Sequence, residues 1–545
     1  SWPPLQRRSG ARLDPGAALQ ATIQLAPGER VDITCMLGQA SSIEEMHSMV
    51  RACRESQTVQ TLLQQTRAWW DERLDVITVQ TPSRSADLLV NRWLLYQTVA
   101  CRLWARSGFY QSGGAFGFRD QLQDVMALLH AHPQMARDHI LLAASRQFAE
   151  GDVQHWWHPP TGEGIRSRIS DDLLWLPFVT AHYVRVTGDT AILHEAVPFL
   201  DAPLLRDDEH ESFQNPQTAI ETASLFEHCR RAVERSRRFG AHGLPLIGGG
   251  DWNDGMNRVG MDGRGESVWL AWFLADVMRS MSEMAGALGQ MDLCHAYRAG
   301  RTALVQDIER FAWDGEWYLR ATFDDGTALG SSVNAEARID SLSQSWAWLS
   351  GAGVPERAGK ALDAAWTHLV RENEGLVLLF EPPFDLSKPS PGYIQGYPPG
   401  GRENGGQYTH AAIWMAMAMA RRGDGTRAEK LLRMLNPIEH AREPESVWRY
   451  GIEPYAVAAD VYRLPGRIGQ GGWSWYTGSA AWLYRAWVEE ILGLTVRGES
   501  LCIKPVIPAA WNGFQMRYRH GDAIAKAVLR GWRLMASELL IVSFR

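Results

Sequence analysis

Gly248-Gly249-Gly250-Asp251-Trp252-Asn253-Asp254-Gly255-Met256-Asn257 stands between two helical patterns, Pro216–Arg237 and Val268–Leu288. Three consecutive glycines cannot continue a helix or a strand at low cost. A loop carrying two carboxylates and an indole is therefore set between helices. The alternation repeats along the chain. Further helical patterns cover Ser85–Ser107, Asp120–Ala131, Ala136–Phe148, Asp171–Thr187, Leu293–Trp313, Ile339–Leu349, Glu356–Leu369, Gln407–Arg422 and Gly478–Leu492. Sequential helices with Gly- and Pro-rich loops between pairs predict a barrel of helical hairpins. No clean sequence repeat supports a solenoid.

The ends differ from this middle. Ala18–Leu25 and Arg30–Met36 flank Pro27-Gly28 and read as a β-hairpin. Two strands make no stable sheet alone, so residues 1–41 read as the remnant of an N-terminal β-sandwich cut off upstream. Residues 42–80 read as a helical linker, 81–494 as the helical barrel and 495–545 as a β segment. That segment has strand-like runs at Leu501–Ile503, Phe514–Tyr518, Ala523–Leu529 and Leu539–Phe544.

Composition sets outer limits. The 545 residues are 45% hydrophobic and 21% charged, ordinary for a soluble globular protein. A net charge of −7 gives no electrostatic case for nucleic acid or an anionic membrane. The 24 tryptophans suit a carbohydrate-handling cleft or a large helical core equally. Cys35, Cys53, Cys101, Cys229, Cys294 and Cys502 form no CxxC pair and no zinc spacing, which suits a reducing compartment. Ser1-Trp2-Pro3-Pro4 is no signal peptide, and Arg92 and Arg102 interrupt the apolar run Leu88–Trp104, so no membrane span is expected there. The expected location is cytoplasmic. With no start methionine, the chain reads as a fragment of something longer.

Four further loops hold chemistry. Gly117-Phe118-Arg119-Asp120 offers a guanidinium and a carboxylate to grip vicinal hydroxyls, or else a salt bridge with Asp120 as a helix cap. Gln154-His155-Trp156-Trp157-His158 lacks a third metal ligand, and Asp171 or Asp172 suits a helix cap before Trp175. Arg402-Glu403-Asn404-Gly405-Gly406 supplies a second acid, Glu403, with His410 opening the next helix as an anion contact or a core residue. Tyr476-Thr477-Gly478-Ser479-Ala480 opens a helix whose N–H groups suit an anion or a plain cap. In the first loop, a carboxyl beside the Trp252 face would lose water, and its pKa would rise toward a general acid's range.

Read in order, Gly117–Asp120, Asp251–Gly255, Arg402–Gly406 and Tyr476–Ala480 resemble the motifs of glycoside hydrolase family 94, the inverting β-glucan phosphorylases. The stretches 248–260 and 263–270 look most like the phosphorylase-type module of cyclic β-1,2-glucan synthases. The resemblance implies an (α/α)₆ barrel between an N-terminal β-sandwich and a C-terminal β-domain. It implies Asp254 as general acid. It implies Arg119, Asp120, Trp252, Asn253, Asp251, Glu403 and Trp175 as sugar contacts, and Arg106, His410, Thr477 and Gly478 as phosphate contacts. Phosphate is then a co-substrate, with no metal and no other cofactor. The implied partners are a β-glucan oligosaccharide, phosphate, a second copy in a homodimer, and a larger membrane-bound synthase. Two departures stand out. The loop between Arg106 and Arg119 is short and lacks an extra arginine. The segment after Gly521 departs from the expected strands. An inverting hydrolase with Glu403 as base, or an inactive sugar-binding fragment, are the rival readings.

Overall fold

The computed structural model describes residue 5 and residues 18–104, 114–159, 161–520, 523–530 and 540–543. The chain divides into two compact units, Ser1–Glu72 and Arg73–Arg545. In the first unit the expected hairpin is absent from the described residues. Residues 18–41 form no strand, and only the turn closed by Glu29 N donating to Ala26 O, 3.0 Å, is present. A two-stranded ribbon without a third strand or a packed face is marginal in water. Helix Ile43–Ala52 follows, with Ser42 Oγ accepting from Glu45 N as its cap, 3.1 Å, and then helix Ser56–Leu74.

The second unit is built of helices in two layers. Helices at 118–128, Trp175–Thr187, Val268–Ala287, Ser341–Leu349, Thr409–Arg421 and 479–491 touch one another in a closed circuit, the last packing back on the first. The helices 84–103, Pro133–Ala144, Leu225–Ser236, Met291–Phe311, Pro355–Leu369 and Gly425–Met434 pack around that ring. Each inner helix is separated from the next by an outer one along the chain. The inner layer is apolar on nearly all sides. Val268–Ala287 buries Trp269, Trp272, Phe273 and Leu274 completely, as a helix enclosed by others must.

Several inner helices begin the same way. Two-residue strands at Phe116–Gly117, Glu266–Ser267, Ile339–Asp340 and Gln407–Tyr408 lead directly into the helices that follow. This places the helix N-termini, and the loops before them, at one end of the ring.

The structure corrects two local readings. Residues 217–224 form a strand, Gln217–Ser224, paired with Ala196–Asp201, where a helix was expected from Pro216. Thr218, Ile220 and Thr222 are β-branched at alternate positions and suit the pleat better than a helix. The strand-like run Ala523–Leu529 is a strand as its pattern predicts, Ala523–Arg530, paired along its length with Gly513–His520. Ile77–Gln80, expected within the helical linker, completes that sheet from the other side. A second C-terminal sheet joins Leu494–Arg497, Ser500–Ile503 and Leu540–Ser543.

Candidate active site

The glycine loop folds as a sharp turn. Gly248 has φ +63°, and a Cβ there would meet Arg168 O at 2.5 Å, so backbone fills the space that a side chain would need. The next residues divide by burial. Asp251 is fully enclosed, its two oxygens taking Arg320 Nη1 and Nη2 at 2.7 and 2.6 Å and Ser267 Oγ at 2.7 Å. Burial alone would raise this carboxyl, but the Arg320 charge overcomes it and holds it below the usual range. Asn253 is equally buried, and its Oδ1 accepts from Arg320 at 3.0 Å. Asp251 and Asn253, expected as sugar contacts, are thus the internal pegs of the loop and reach no solvent.

Asp254 emerges from this base with a side chain one-third exposed. Its Oδ1 accepts from Arg119 Nη2 at 2.6 Å, and its Oδ2 stands 3.8 Å from His155 Nε2. The group that meets Asp254 is therefore a guanidinium. The Trp252 ring packs among Tyr408, His410 and Trp414, with centroids 5.4, 5.1 and 4.9 Å away.

Arg119, in the first turn of helix Phe118–Val125, is the hub. Besides Asp254 it gives Nη1 to Asp171 Oδ1 at 2.8 Å and to Asp251 O at 3.1 Å. Its neighbour Asp120 turns the other way and accepts from Arg102 Nη2 at 3.0 Å. The helix cap there is Gly117, so neither the expected Arg119–Asp120 pair nor an Asp120 cap forms. Burial would raise the Asp120 carboxyl, but Arg102 and Arg119 hold it lowered.

Trp175 is also a correction. It is wholly buried, donates Nε1 to Asp171 Oδ2 at 3.0 Å and packs on Phe273 and Trp414. It supports Asp171 from below and cannot touch a ligand. Neither Asp171 nor Asp172 forms the expected side-chain helix cap. Asp171 holds Arg119, and Asp172 Oδ2 lies 2.8 Å from His155 Nδ1. Burial opposes charge on His155, but Asp172 and then Asp254 outweigh it and push the imidazole up to about 9. His155 is thus a cation beside Asp254, a role that its own loop did not suggest.

Glu403 is the acid with the environment expected of Asp254. Burial first, then the Asp254 carboxylate, push it up to about 7. Tyr393, half-exposed, and Tyr397 stand on the same side, with Arg402 stacked over the rings of Tyr397 and Trp473 at 5.5 and 5.1 Å. The turn Asp254–Met256 packs on the turn Tyr393–Gly396, and a Cβ on Gly255 would lie 2.7 Å from that of Ile394.

The remaining candidates meet across the ring. His410, in the first turn of helix Thr409–Arg421, faces Gly478. A Cβ on Gly478 would stand 3.4 Å from His410 Cε1. Thr477 Oγ1 accepts from Ser479 N at 3.1 Å in a turn just before the last inner helix. The cap residue there is Gly478, with no side-chain cap, so Thr477 is not the expected helix cap. Burial pushes His410 down to about 3, so it stays neutral. Arg106, and most of the short loop between it and Arg119, lie outside the described residues.

A web of carboxylates around one arginine, with tyrosines and a stacked arginine beside it, sits where a ring of helix N-termini converges. The chain belongs to the glycosyl hydrolase 94 superfamily: residues 69–493 match its catalytic domain and residues 2–56 its supersandwich domain. It is 47% identical over 507 residues to cyclic beta-(1,2)-glucan synthase NdvB of Rhizobium meliloti, an alignment covering 93% of this chain and 18% of that protein. It is 31% identical to solabiose phosphorylase of Paenibacillus borealis, over 92% of this chain and 62% of the relative. The chain therefore spans less than two thirds of either relative. Among solved structures, a glycoside hydrolase family 78 rhamnosidase of Bacillus sp. GL1 superposes with a TM-score of 0.52 at 14% identity, covering 82% of this chain and 39% of that one. That likeness is one of fold.

Proposed function

We propose that this chain is the (α/α)₆ barrel of an inverting β-glucan phosphorylase, acting on β-1,2-linked glucan or its oligosaccharides. The observation that carries the reading is the pairing of two half-sites at one mouth. One is a partly exposed carboxyl, Asp254, held by Arg119. The other is the group His410, Thr477 and Gly478, with the His410 ring 5.1 Å from that of Trp252 in the acid loop. An inverting hydrolase needs a second carboxylate to activate water. A phosphorolytic enzyme needs a place for an anion that is already a nucleophile.

In this reading Asp254 gives its proton to the glycosidic oxygen as that oxygen leaves C1. A phosphate oxygen forms the new bond to C1 from the opposite face. The products are α-glucose 1-phosphate and a glucan one unit shorter, and Asp254 regains a proton from solvent. Arg119 positions the acid, and Asp120 is a grip for the sugar in the cleft. Glu403, Tyr393 and Tyr397 flank the leaving sugar, and Arg106 joins His410, Thr477 and Gly478 around phosphate. No other cofactor is needed. The β-1,2 linkage is supported by the extent of the similarity to the synthase. Within such a synthase the module would trim linear glucan from the cytoplasmic side. Among the described residues no helix is long and apolar enough to cross a membrane. A homodimer remains part of the proposal.

The test is incubation with β-1,2-glucan with and without phosphate, followed by assay for glucose 1-phosphate. Parallel runs on the β-1,4 and β-1,3 series decide the linkage. A preference for either would remove the β-1,2 assignment alone. Reducing sugar released steadily without phosphate, and no glucose 1-phosphate, would make the chain a hydrolase with Glu403 as base.

A further inference from the structure

Asp124 lies one turn beyond Asp120 on helix Phe118–Val125 and is fully buried. Its Oδ2 accepts from Arg102 Nε at 2.8 Å. Its Oδ1 has no hydrogen-bond partner among the described residues. That oxygen is directed at Gly478: a Cβ there would sit 3.4 Å from Asp124 Oδ1 and 3.4 Å from His410 Cε1. A buried acceptor without a partner is costly. Here it borders the spot where the only substituent of residue 478 is a hydrogen, and where His410 Cε1 and Nδ1 would stand 3.4 and 3.5 Å from a Cβ.

We propose that Asp124 reads the protonation of the bound anion, sharing one proton between its Oδ1 and a phosphate oxygen, so that the pocket accepts phosphate and rejects sulfate when that carboxyl is ionised. The inference rests on the phosphate reading of Thr477, Gly478 and His410. Near neutral pH inorganic phosphate keeps a proton on one oxygen, and sulfate keeps none. An ionised Asp124 accepts a hydrogen bond from the P–OH group, whereas it only repels sulfate. A protonated Asp124 donates to either anion. In both phosphate states one proton lies between the two oxygens, and no covalent bond to carbon or phosphorus changes.

The surroundings fit a carboxyl that changes state in the working range. Burial raises Asp124 to about 7, with Arg102 on helix 84–103 opposing and Asp120 on its own helix adding. His410, from helix Thr409–Arg421, is neutral. Tyr476 lies under Arg102 with burial pushing its phenol up, so it too is neutral in this range. Thr477, Gly478 and Ser479 bring no charge.

The experiment is calorimetric titration of the whole chain, without sugar, with inorganic phosphate and with sulfate at constant ionic strength. Titrations are compared at about pH 6 and about pH 8.5, on either side of the Asp124 value. Sulfate affinity should fall at least about tenfold across that range, since it needs the protonated acid, while phosphate affinity changes less than about threefold. Asp124→Asn, which keeps a donor at every pH, should bind sulfate equally at both. Sulfate and phosphate weakening in parallel in the native protein overturns the inference, whatever the fate of the variant. So does a sulfate pH dependence that survives in Asp124→Asn. Phosphate failing to bind at either pH overturns the phosphate reading itself, a result distinct from either.

Discussion

Nε2 of His155 stands 3.8 Å from Oδ2 of Asp254, while the other ring nitrogen is held 2.8 Å from Asp172. A cation fixed at that distance stabilises the carboxylate that Asp254 becomes once its proton has gone to the leaving oxygen. The raised value of His155 means that the charge is present below about pH 9 and lost above it. Activity should therefore fall as pH rises through that value. His155→Gln should lower kcat about tenfold, roughly 1.4 kcal/mol of charge stabilisation, and remove that alkaline limb. A pH–rate profile of both proteins checks it. An unchanged limb in the variant would detach His155 from the acid.

Asp254→Asn should abolish cleavage and leave oligosaccharide binding largely intact, since general acid catalysis is worth about 10²–10⁴-fold. Turnover and binding, measured on the same preparation, separate the two effects. Retention of most of the activity would reassign the acid.

The Asp251–Arg320 pair is a prediction about stability. Removing one partner of a buried ion pair costs about 3–5 kcal/mol, so Arg320→Met should lower the denaturant midpoint sharply. The pH sign follows from the lowered carboxyl. Its contribution is complete above the ordinary carboxylate range and is lost as pH falls through the folded-state value. Asp251→Asn should flatten that acid-side decline in an unfolding series.

His410→Ala and Arg106→Ala should raise the phosphate KM more than the sugar KM, because they remove contacts made to the anion before the chemical step. Equal effects on both constants would place these residues elsewhere.

Gly255→Ala tests the contact between the acid turn and the Tyr393 turn. The added methyl would meet Ile394 at 2.7 Å, closer than packing allows. The fold should survive, with kcat reduced and the far-ultraviolet spectrum unchanged.

The sequence made the position of the acid loop plain, because glycines and carboxylates crowded between helical patterns have local signatures. It did not divide Asp251 from Asp254. Two carboxylates three residues apart look alike until Arg320, 69 positions beyond Asp251, claims one of them. Trp175 is ambiguous in the sequence for a related reason: an indole at a helix start reads the same whether it faces the cleft or is buried against Asp171. His155 gave no signal because its partner Asp172 is 17 residues away in another loop. An alternation of β-branched residues at 218, 220 and 222 was available and marks the strand that a helical reading overran. The helical ring was legible from periodicity, whereas its closure is a long-range contact with no local trace.

That closure has a consequence for how the chain matures. Trp482 on the last inner helix donates Nε1 to Gln123 on the first at 3.0 Å, across 359 positions. Contacts so distant in sequence form late, since folding slows as contact order rises. A chain growing from the ribosome would hold Arg119, Asp171 and Asp254 together well before Thr477 and Gly478 were synthesised. Anion binding would then appear only at the final docking step, and its onset during refolding would time the moment the ring shuts.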